Sequence, residues 1–225
     1  MIPGVRTAVT DRSGGFSAAP YGGRNLGGNV GDDPATVARN REKTAAELGV
    51  ERLAFMRQIH SARVERLPRG DLPECDAIFT DVPGLALGAL GADCPAILVG
   101  AENMVGAAHS GRVGTLLGVG PALVEAMRAA GATGPMTALI GPAACGRCYE
   151  VPEAMRAEAP EPMRSTTSWG TPALDLRAAL AVQLAALDVT VEHDPRCTIE
   201  APELYSYRRD GVTGRFAGLV WLEPA

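Results

Sequence analysis

Apolar positions along the chain fall into one long helical rhythm near the start and then a series of short runs. Asp33 and Pro34 read as an N-cap followed by proline at the first helical position. Val37, Ala38, Arg41, Ala45 and Leu48 follow, and Gly49 supplies a stop, which predicts a helix over 34–48. Strand-length runs come next: LAFM at 53–56, RVERL at 63–67, AIFT at 77–80, LALGAL at 85–90, AILVG at 96–100 and VGAAH at 105–109. Each is bounded by Gly, Pro or Asp. The stretch 114–130 is helical in pattern, with Pro121 expected to kink it or begin a second helix. TALIG at 137–141 reads as a strand, Pro152 opens a short helix, and 173–187 has apolar residues at helical spacing. VTVE at 189–192 and AGLVWL at 217–222 complete the strands. Intermixed strands and helices predict an α/β or α+β class.

Between these elements lie two long irregular stretches. Residues 11–33 are rich in Gly, Ser, Asn and Pro, and loops of that length in compact domains are usually functional or disordered. Residues 158–172, rich in Pro and Ser/Thr, are the best candidate for an excursion from the main fold. No repeat and no domain boundary stands out, so residues 1–225 read as a single domain, a size one core can serve.

Composition narrows the function. Twenty-one bases against 26 acids give a net charge of −5 and a pI near 5.3. That balance argues against a protein that binds nucleic acid by neutralising phosphates. The longest apolar run, 82–100, carries Asp93, two prolines and several glycines, so it does not read as a membrane span. The opening MIPGVRTAVTDRSGG lacks the apolar core of a signal peptide, and a soluble, cytoplasmic protein is expected. Five cysteines are an odd number, so thiols here mean packing, metal or catalysis rather than a disulfide framework. With only His60, His109 and His193, a multicopper oxidase and its imidazole-rich centres cannot be built.

Three segments set metal-capable side chains beside loop-forming residues: Gln58-Ile59-His60, Ala92-Asp93-Cys94-Pro95 and Ala107-Ala108-His109-Ser110-Gly111. Pro95 biases Cys94 toward an extended conformation, and His109 closes a strand, where α/β sheets expose functional side chains. Two histidines and one cysteine make a three-ligand catalytic zinc set with the fourth position open. Taken singly, each histidine reads as a hydrogen-bonded structural residue and Cys94 as a small buried hydrophobe. Cys145-Gly146-Arg147-Cys148 is the other metal-like feature, and its default reading is a turn with two packed thiols, since no second CxxC exists. Arg208, Arg209 and Arg215 lie in a basic turn between two apparent strands, and Arg12 stands at the start of the glycine-rich loop. All four can bind phosphate or carboxylate through a planar fork of donors, or serve as solvated surface.

In order, the segments NLGGNVGDDPATVARNRE, QIHSARV, DAIFTDVPGLALGALGADCPAILV, VGAAHSGRVG, IGPAACGRCYEV and CTIEAPELYSYRRDGVTGR resemble the YfiH/YlmD-like family. That family has carried the labels laccase-domain and polyphenol oxidase, and is associated with purine nucleoside phosphorylase and adenosine deaminase activities. The resemblance spans about 11–222. It implies zinc held by His60, Cys94 and His109, and a compact α/β/α sandwich with a mixed sheet, similar to the catalytic domain of cytotoxic necrotizing factor. It also implies purine nucleosides and phosphate as substrates, with adenosine, inosine, guanosine and methylthioadenosine as the class. The expected assembly is a monomer or small homo-oligomer. After the second histidine the family usually reads A-G-W-R-G, whereas this chain has Ser110-Gly111-Arg112-Val113-Gly114, so an arginine stands where the tryptophan would be.

For deamination, zinc-bound water of lowered pKa would attack the purine carbon bearing the amine. Asp93 would then be either the proton shuttle or the support that orients a ligand histidine. Phosphorolysis instead requires phosphate beside the sugar, for which Arg12 and Arg112 are the candidates. Three alternatives use the same residues: a metal-free cysteine hydrolase with Cys94 as nucleophile and His109 or His60 as base, a mononuclear copper site, and a zinc-stabilised nucleoside-binding module without turnover.

Overall fold

A computed structural model describes residues 2–67 and 73–224. The first half runs β1 (Val5–Val9), α1 (Pro34–Leu48), β2 (Arg52–Phe55), β3 (Val64–Arg66), β4 (Ala77–Thr80), β5 (Leu85–Gly91), β6 (Ala96–Ala101) and β7 (Met104–His109). Next come α2 (Arg112–Leu117), α3 (Val119–Ala129), β8 (Met136–Ile140), α4 (Glu153–Glu158), a 3-10 turn at Glu161–Met163, β9 (Arg164–Thr166) and β10 (Pro172–Leu174). The chain finishes with α5 (Leu176–Ala185), β11 (Val189–His193), α6 (Tyr207–Asp210) and β12 (Phe216–Leu222).

The expected α/β fold with mixed sheets is present, and its β layer is double. A six-stranded sheet runs β11-β8-β6-β7-β4-β3, and a four-stranded sheet runs β1-β12-β5-β2. In the larger sheet the outer pairs β11/β8 and β3/β4 are parallel and the inner pairs antiparallel. Period-two alternation explains the stacking. Ala96 and Leu98 of β6 point into the core between the sheets, with Leu87, Ala89 and Val220, while Ile97 and Val99 point outward beneath Leu123, Met127 and Leu180 of α3 and α5. On the far side, Leu219 and Trp221 of β12 pack with Ala45 and Leu48 of α1. The layers are therefore helix, sheet, sheet, helix. Each fully buried Leu, Ile or Val contributes about 1.5–3 kcal/mol. Glycine sets the spacing at Gly218, where an added Cβ would lie 2.8 Å from the Cβ of Ala96.

The structure adds local detail to the sequence pattern and revises parts of it. The second helix expected near Pro121 forms as α3, with Pro121 in its first turn, where its missing N–H costs nothing, and the break itself lies at Gly118, in the left-handed region (φ 78°). The helix predicted from 173 begins at Leu176, because Asp175 caps it by accepting from the Ala178 N–H at 3.1 Å and leaves Ala173 and Leu174 to pair in β10. VRTAV at the N-terminus, unassigned from sequence, is a strand along β12. The basic stretch near 208–215 is not a hairpin. Ser206 caps the short α6, and the Arg209 guanidinium donates to the carbonyls of Thr198, Ala201 and Leu204.

The glycine-rich loop is a tied structure. Asn40 of α1 donates to the Ser17 hydroxyl and to the Asn25 carbonyl, both at 2.9 Å, and Asn25 Oδ1 accepts from the N–H groups of Gly27 and Arg215. The Tyr205 hydroxyl donates to the carbonyl of Tyr21 at 2.9 Å. These bonds fix 27–30 at the rim of the cleft described below. Among the described residues, no helix is long and apolar enough to cross a membrane.

Candidate metal centre

Strand register brings the site together. Ala96, at the start of β6, pairs with His109, at the end of β7, so the loop carrying Cys94 lies beside His109. Ala77 of β4 pairs with Ala108, which sets Asp76 next to His109 on the other side. The His109 N–H donates to the Asp76 carbonyl at 2.8 Å, and the two side chains meet with His109 Nδ1 2.9 Å from Asp76 Oδ1. His60 arrives on the loop after β2, in left-handed backbone geometry (φ 61°). That turn is held by the same carboxylate: Asp76 Oδ2 accepts from the N–H groups of Ile59 at 3.1 Å and Ser61 at 2.6 Å, and from the Ser61 hydroxyl at 2.9 Å. Gln58 fixes the other flank by exchanging two hydrogen bonds with the backbone of Leu90.

The donor atoms of His60, Cys94 and His109 all lie within 4.8 Å of one another. The two imidazoles meet edge to face, with centroids 4.9 Å apart and an interplanar angle of 88°. His109 is buried, Cys94 half-buried and His60 exposed, so the cluster opens to solvent on one side. Gly111 borders it closely. A Cβ there would stand 3.0 Å from His60 Cδ2 and 3.1 Å from Cys94 Sγ, so the absence of a side chain keeps the space beside these donor atoms clear.

Protonation follows from burial and partners. Burial drives the His109 pKa down against the pull of Asp76, so the ring is neutral, with Nδ1–H donating to Asp76 and Nε2 free to ligate. Burial would raise the Asp76 pKa, but hydrogen bonds from His109 and Ser61 outweigh it and hold the carboxyl well below the usual range. Desolvation, reinforced by the Asp93 carboxylate, pushes the Cys94 thiol up to about 11, and a bound cation is the means of making it a thiolate at neutral pH.

The cluster forms the floor of a cleft of about 900 Å³. Phe55, Met56, Leu90 and Leu176 give the cleft apolar wall, Tyr149 and Tyr207 aromatic wall, and five arginines line it: Arg41, Arg57, Arg112, Arg208 and Arg215. Arg41 lies over the Phe55 ring at 4.6 Å and donates twice to the Leu26 carbonyl. Arg215 packs its stem against Gly27, where an added Cβ would be 2.8 Å from its Cγ, and Arg41 lies beside Gly28. No ion pair joins either of these two arginines to a carboxylate among the described residues. Burial lowers the pKa of both, yet a guanidinium stays charged.

Of the sequence candidates, the structure brings together His60, Cys94 and His109, with Asp93 and Arg112 in the same cleft wall. Arg12 lies apart from them. It is not among the cleft-lining residues, because its guanidinium lies over the Tyr205 ring at 5.0 Å and 3.9 Å from Asp210. Asp93 is not the support of a ligand histidine. Its Oδ1 accepts from Thr198 at 2.7 Å and Ser206 at 2.6 Å, and its Oδ2 from the Arg208 N–H at 2.7 Å. The orienting carboxylate is Asp76, which no local motif distinguished from other strand-flanking acids. Arg41 was read only as a position on a helix, while Arg208 and Arg215 stood among the candidate anion forks.

The chain matches, over residues 6–223, the family model described as multi-copper polyphenol oxidoreductase laccase. A Streptomyces griseus protein named as a purine nucleoside phosphorylase is 51% identical, covering 96% of this chain and 94% of that protein. One from Mycobacterium tuberculosis with the same description is 46% identical, covering 97% and 92%. Among solved structures, a Neisseria meningitidis protein described under the family label DUF152 superposes with a TM-score of 0.87 at 34% identity, covering 99% of this chain and 96% of that one. YlmD from Geobacillus stearothermophilus also gives 0.87, at 31% identity, covering 99% and 93%.

Proposed function

We propose a phosphorolytic enzyme from one premise: this chain belongs to the family described as multi-copper polyphenol oxidoreductase laccase. The copper label does not fit its inventory, since the sequence holds three histidines and two of them are in one site. The name carried by its relatives does fit. On this reading the protein cleaves purine nucleosides with phosphate, giving the free purine and the sugar 1-phosphate (ribose 1-phosphate, or its 5-methylthio form), with adenosine, inosine, guanosine and methylthioadenosine as the substrate class. The observation that carries it is one cleft holding a two-histidine, one-cysteine donor set together with arginines unpaired by described carboxylates.

The residues fit zinc: two neutral imidazoles, one thiol and an open side are a catalytic donor set, and Gly111 leaves the space beside them clear. Zinc held by His60, Cys94 and His109 would supply a Lewis acid and a water that ionises near neutrality. Asp76 holds the His109 Nδ1 proton and so turns Nε2 toward the cleft. Arg41 and Arg215, beside the backbone of Gly27 and Gly28, offer phosphate their positive charge and the N–H groups not already given to the carbonyls of Leu26, Thr213 and Gly214, with Arg112 as a further donor. The apolar and tyrosine walls suit a purine face. As phosphate oxygen bonds to the ribose carbon, the glycosidic electron pair leaves with the purine, which takes a proton from solvent.

Deamination of adenosine is the secondary activity in this reading, because Asp93, the shuttle candidate, has both oxygens engaged and serves to position the cleft wall. A metal-free hydrolase reading draws on the Cys94, His109, Asp76 series, which resembles a nucleophile, a base and its orienter. Five free thiols suit a cytoplasmic location. Incubating the protein with inosine and phosphate should yield hypoxanthine and ribose 1-phosphate on chromatography. Bound zinc without product would favour a nucleoside-binding module, and a metal-free protein that hydrolyses amides or esters and is blocked by a thiol-specific reagent would favour the hydrolase.

A further inference from the structure

A second cluster of donors lies outside the cleft. Cys145 and Cys148 bracket a tight turn in which the N–H groups of Cys148 and Tyr149 both donate to the Cys145 carbonyl at 2.9 Å. Cys197 comes from the loop after β11. It is brought alongside by a parallel bridge between Ala143 and Cys197, and by the Thr198 N–H donating to the Ala143 carbonyl at 3.1 Å. The sulfurs of these three cysteines and a carboxylate oxygen of Glu200 all lie within 4.8 Å of one another. The thiols are buried and free, and Glu200 closes the set from the solvent side.

The geometry points to a second, structural zinc site formed by Cys145, Cys148, Cys197 and Glu200. Simple packing of small hydrophobic side chains, with Ile199 as neighbour, accounts for buried thiols, while the exposed Glu200, 3.9 Å from Arg147, adds a carboxylate oxygen within 4.8 Å of the three sulfurs. A disulfide would join two sulfurs and strand the third. Tetrahedral zinc uses all four donors, and a Zn–S length of about 2.3 Å sets sulfurs roughly 3.8 Å apart, inside the spacing found here. The backbone already faces the sulfurs: the Cys145 N–H donates to Cys197 Sγ at 3.4 Å. Binding releases three thiol protons to solvent and leaves a centre of net negative charge. Arg147 and Arg177 line the adjoining pocket of about 250 Å³ and complement that charge.

The site has a structural consequence. The loops it joins both hold Asp93: the Ala144 N–H donates to the Asp93 carbonyl at 2.9 Å, and the Thr198 hydroxyl to its carboxylate at 2.7 Å. The turn also leads directly into Tyr149 of the cleft wall. The ion therefore cross-links two loops that frame the cleft, and it contributes no ligand to the cleft itself. This inference stands apart from the phosphorolytic reading, since it uses none of the cleft donors.

Two measurements test it. Zinc-saturated protein, gel-filtered and analysed by mass spectrometry for metal, should hold two zinc per chain with the cleft filled and one with it empty, and a count of none overturns the proposal. Cys94→Ser, which removes the cleft thiol, should still give a near-ultraviolet thiolate-to-cobalt charge-transfer band with cobalt(II), saturating at one equivalent. Cys94→Ser/Cys197→Ser should lose most of that band. Absence of the band in Cys94→Ser, or its full retention in the double variant, overturns the assignment. If the variants fail to fold, alkylation of the unaltered chain decides: zinc should protect Cys145, Cys148 and Cys197, read by peptide mass spectrometry, and labelling equal with and without zinc overturns the assignment.

Discussion

Asp76 and His109 are locked together twice, backbone N–H to carbonyl at 2.8 Å and imidazole Nδ1 to carboxylate at 2.9 Å. The second carboxylate oxygen holds the turn on which His60 rides, so one buried acid orients both histidines of the donor set. Replacing it with an amide of equal size tests this. Asp76→Asn should lower zinc affinity about 10–100-fold, read by chelator competition, with phosphorolysis falling in step at limiting zinc. Unchanged affinity would remove Asp76 from the positioning role.

Gly111 gives a test of shape alone. Its backbone (φ −67°, ψ 177°) is open to any residue, so Gly111→Ala carries no conformational penalty. The added methyl would lie 3.0 Å from His60 and 3.1 Å from Cys94. The variant should melt like the parent yet lose the cleft metal on elemental analysis. Normal loading would show that no ion occupies that space.

The arginines separate by position. Arg215→Gln should raise the KM for phosphate about 10–150-fold, corresponding to loss of a charged hydrogen bond of about 1.5–3 kcal/mol, with nucleoside KM within a factor of about two. Arg12→Ala should leave both constants unchanged, because that guanidinium is engaged by Tyr205 and Asp210. The reverse pattern would return the phosphate site to the glycine-rich loop's first arginine.

Acid should destabilise the metal-free protein in two stages. His109 is held neutral by burial, so as pH falls below about 6.5 the unfolded chain takes up a proton that the folded one refuses. Asp76 is held ionised, so a further loss begins below about 3.9, where its unfolded counterpart protonates first. Both shifts are downward, and both make stability rise with pH across their windows. Melting curves from pH 8 to pH 3 should show this, and Asp76→Asn should weaken the lower stage, to which Asp194 and Asp210, also held below their ordinary values, still contribute.

What could be read from the sequence was what local chemistry determines. Asp33, Pro34 and Gly49 delimit α1 because capping and proline geometry act within a few residues. The runs at 77–80, 85–90 and 96–100 matched strands because burial on both faces makes them continuously apolar. β1 escaped notice because its strand character comes from β12, more than 200 residues away. Asp76 escaped for a similar reason, its role being created by the β4/β7 register. Cys197 reads as an isolated thiol until the bridge to Ala143 brings it to the CxxC turn. Arg12 and Arg215 are the same residue type beside glycine-rich sequence, and only tertiary neighbours distinguish a stacked surface arginine from one in the cleft.

The most direct test of the central claim is phosphorus NMR of the zinc-loaded protein incubated with inosine and inorganic phosphate. Ribose 1-phosphate should accumulate in a one-to-one ratio with hypoxanthine, and Cys94→Ala should abolish the signal. No ribose 1-phosphate from the loaded enzyme, or undiminished formation by Cys94→Ala, would contradict the account.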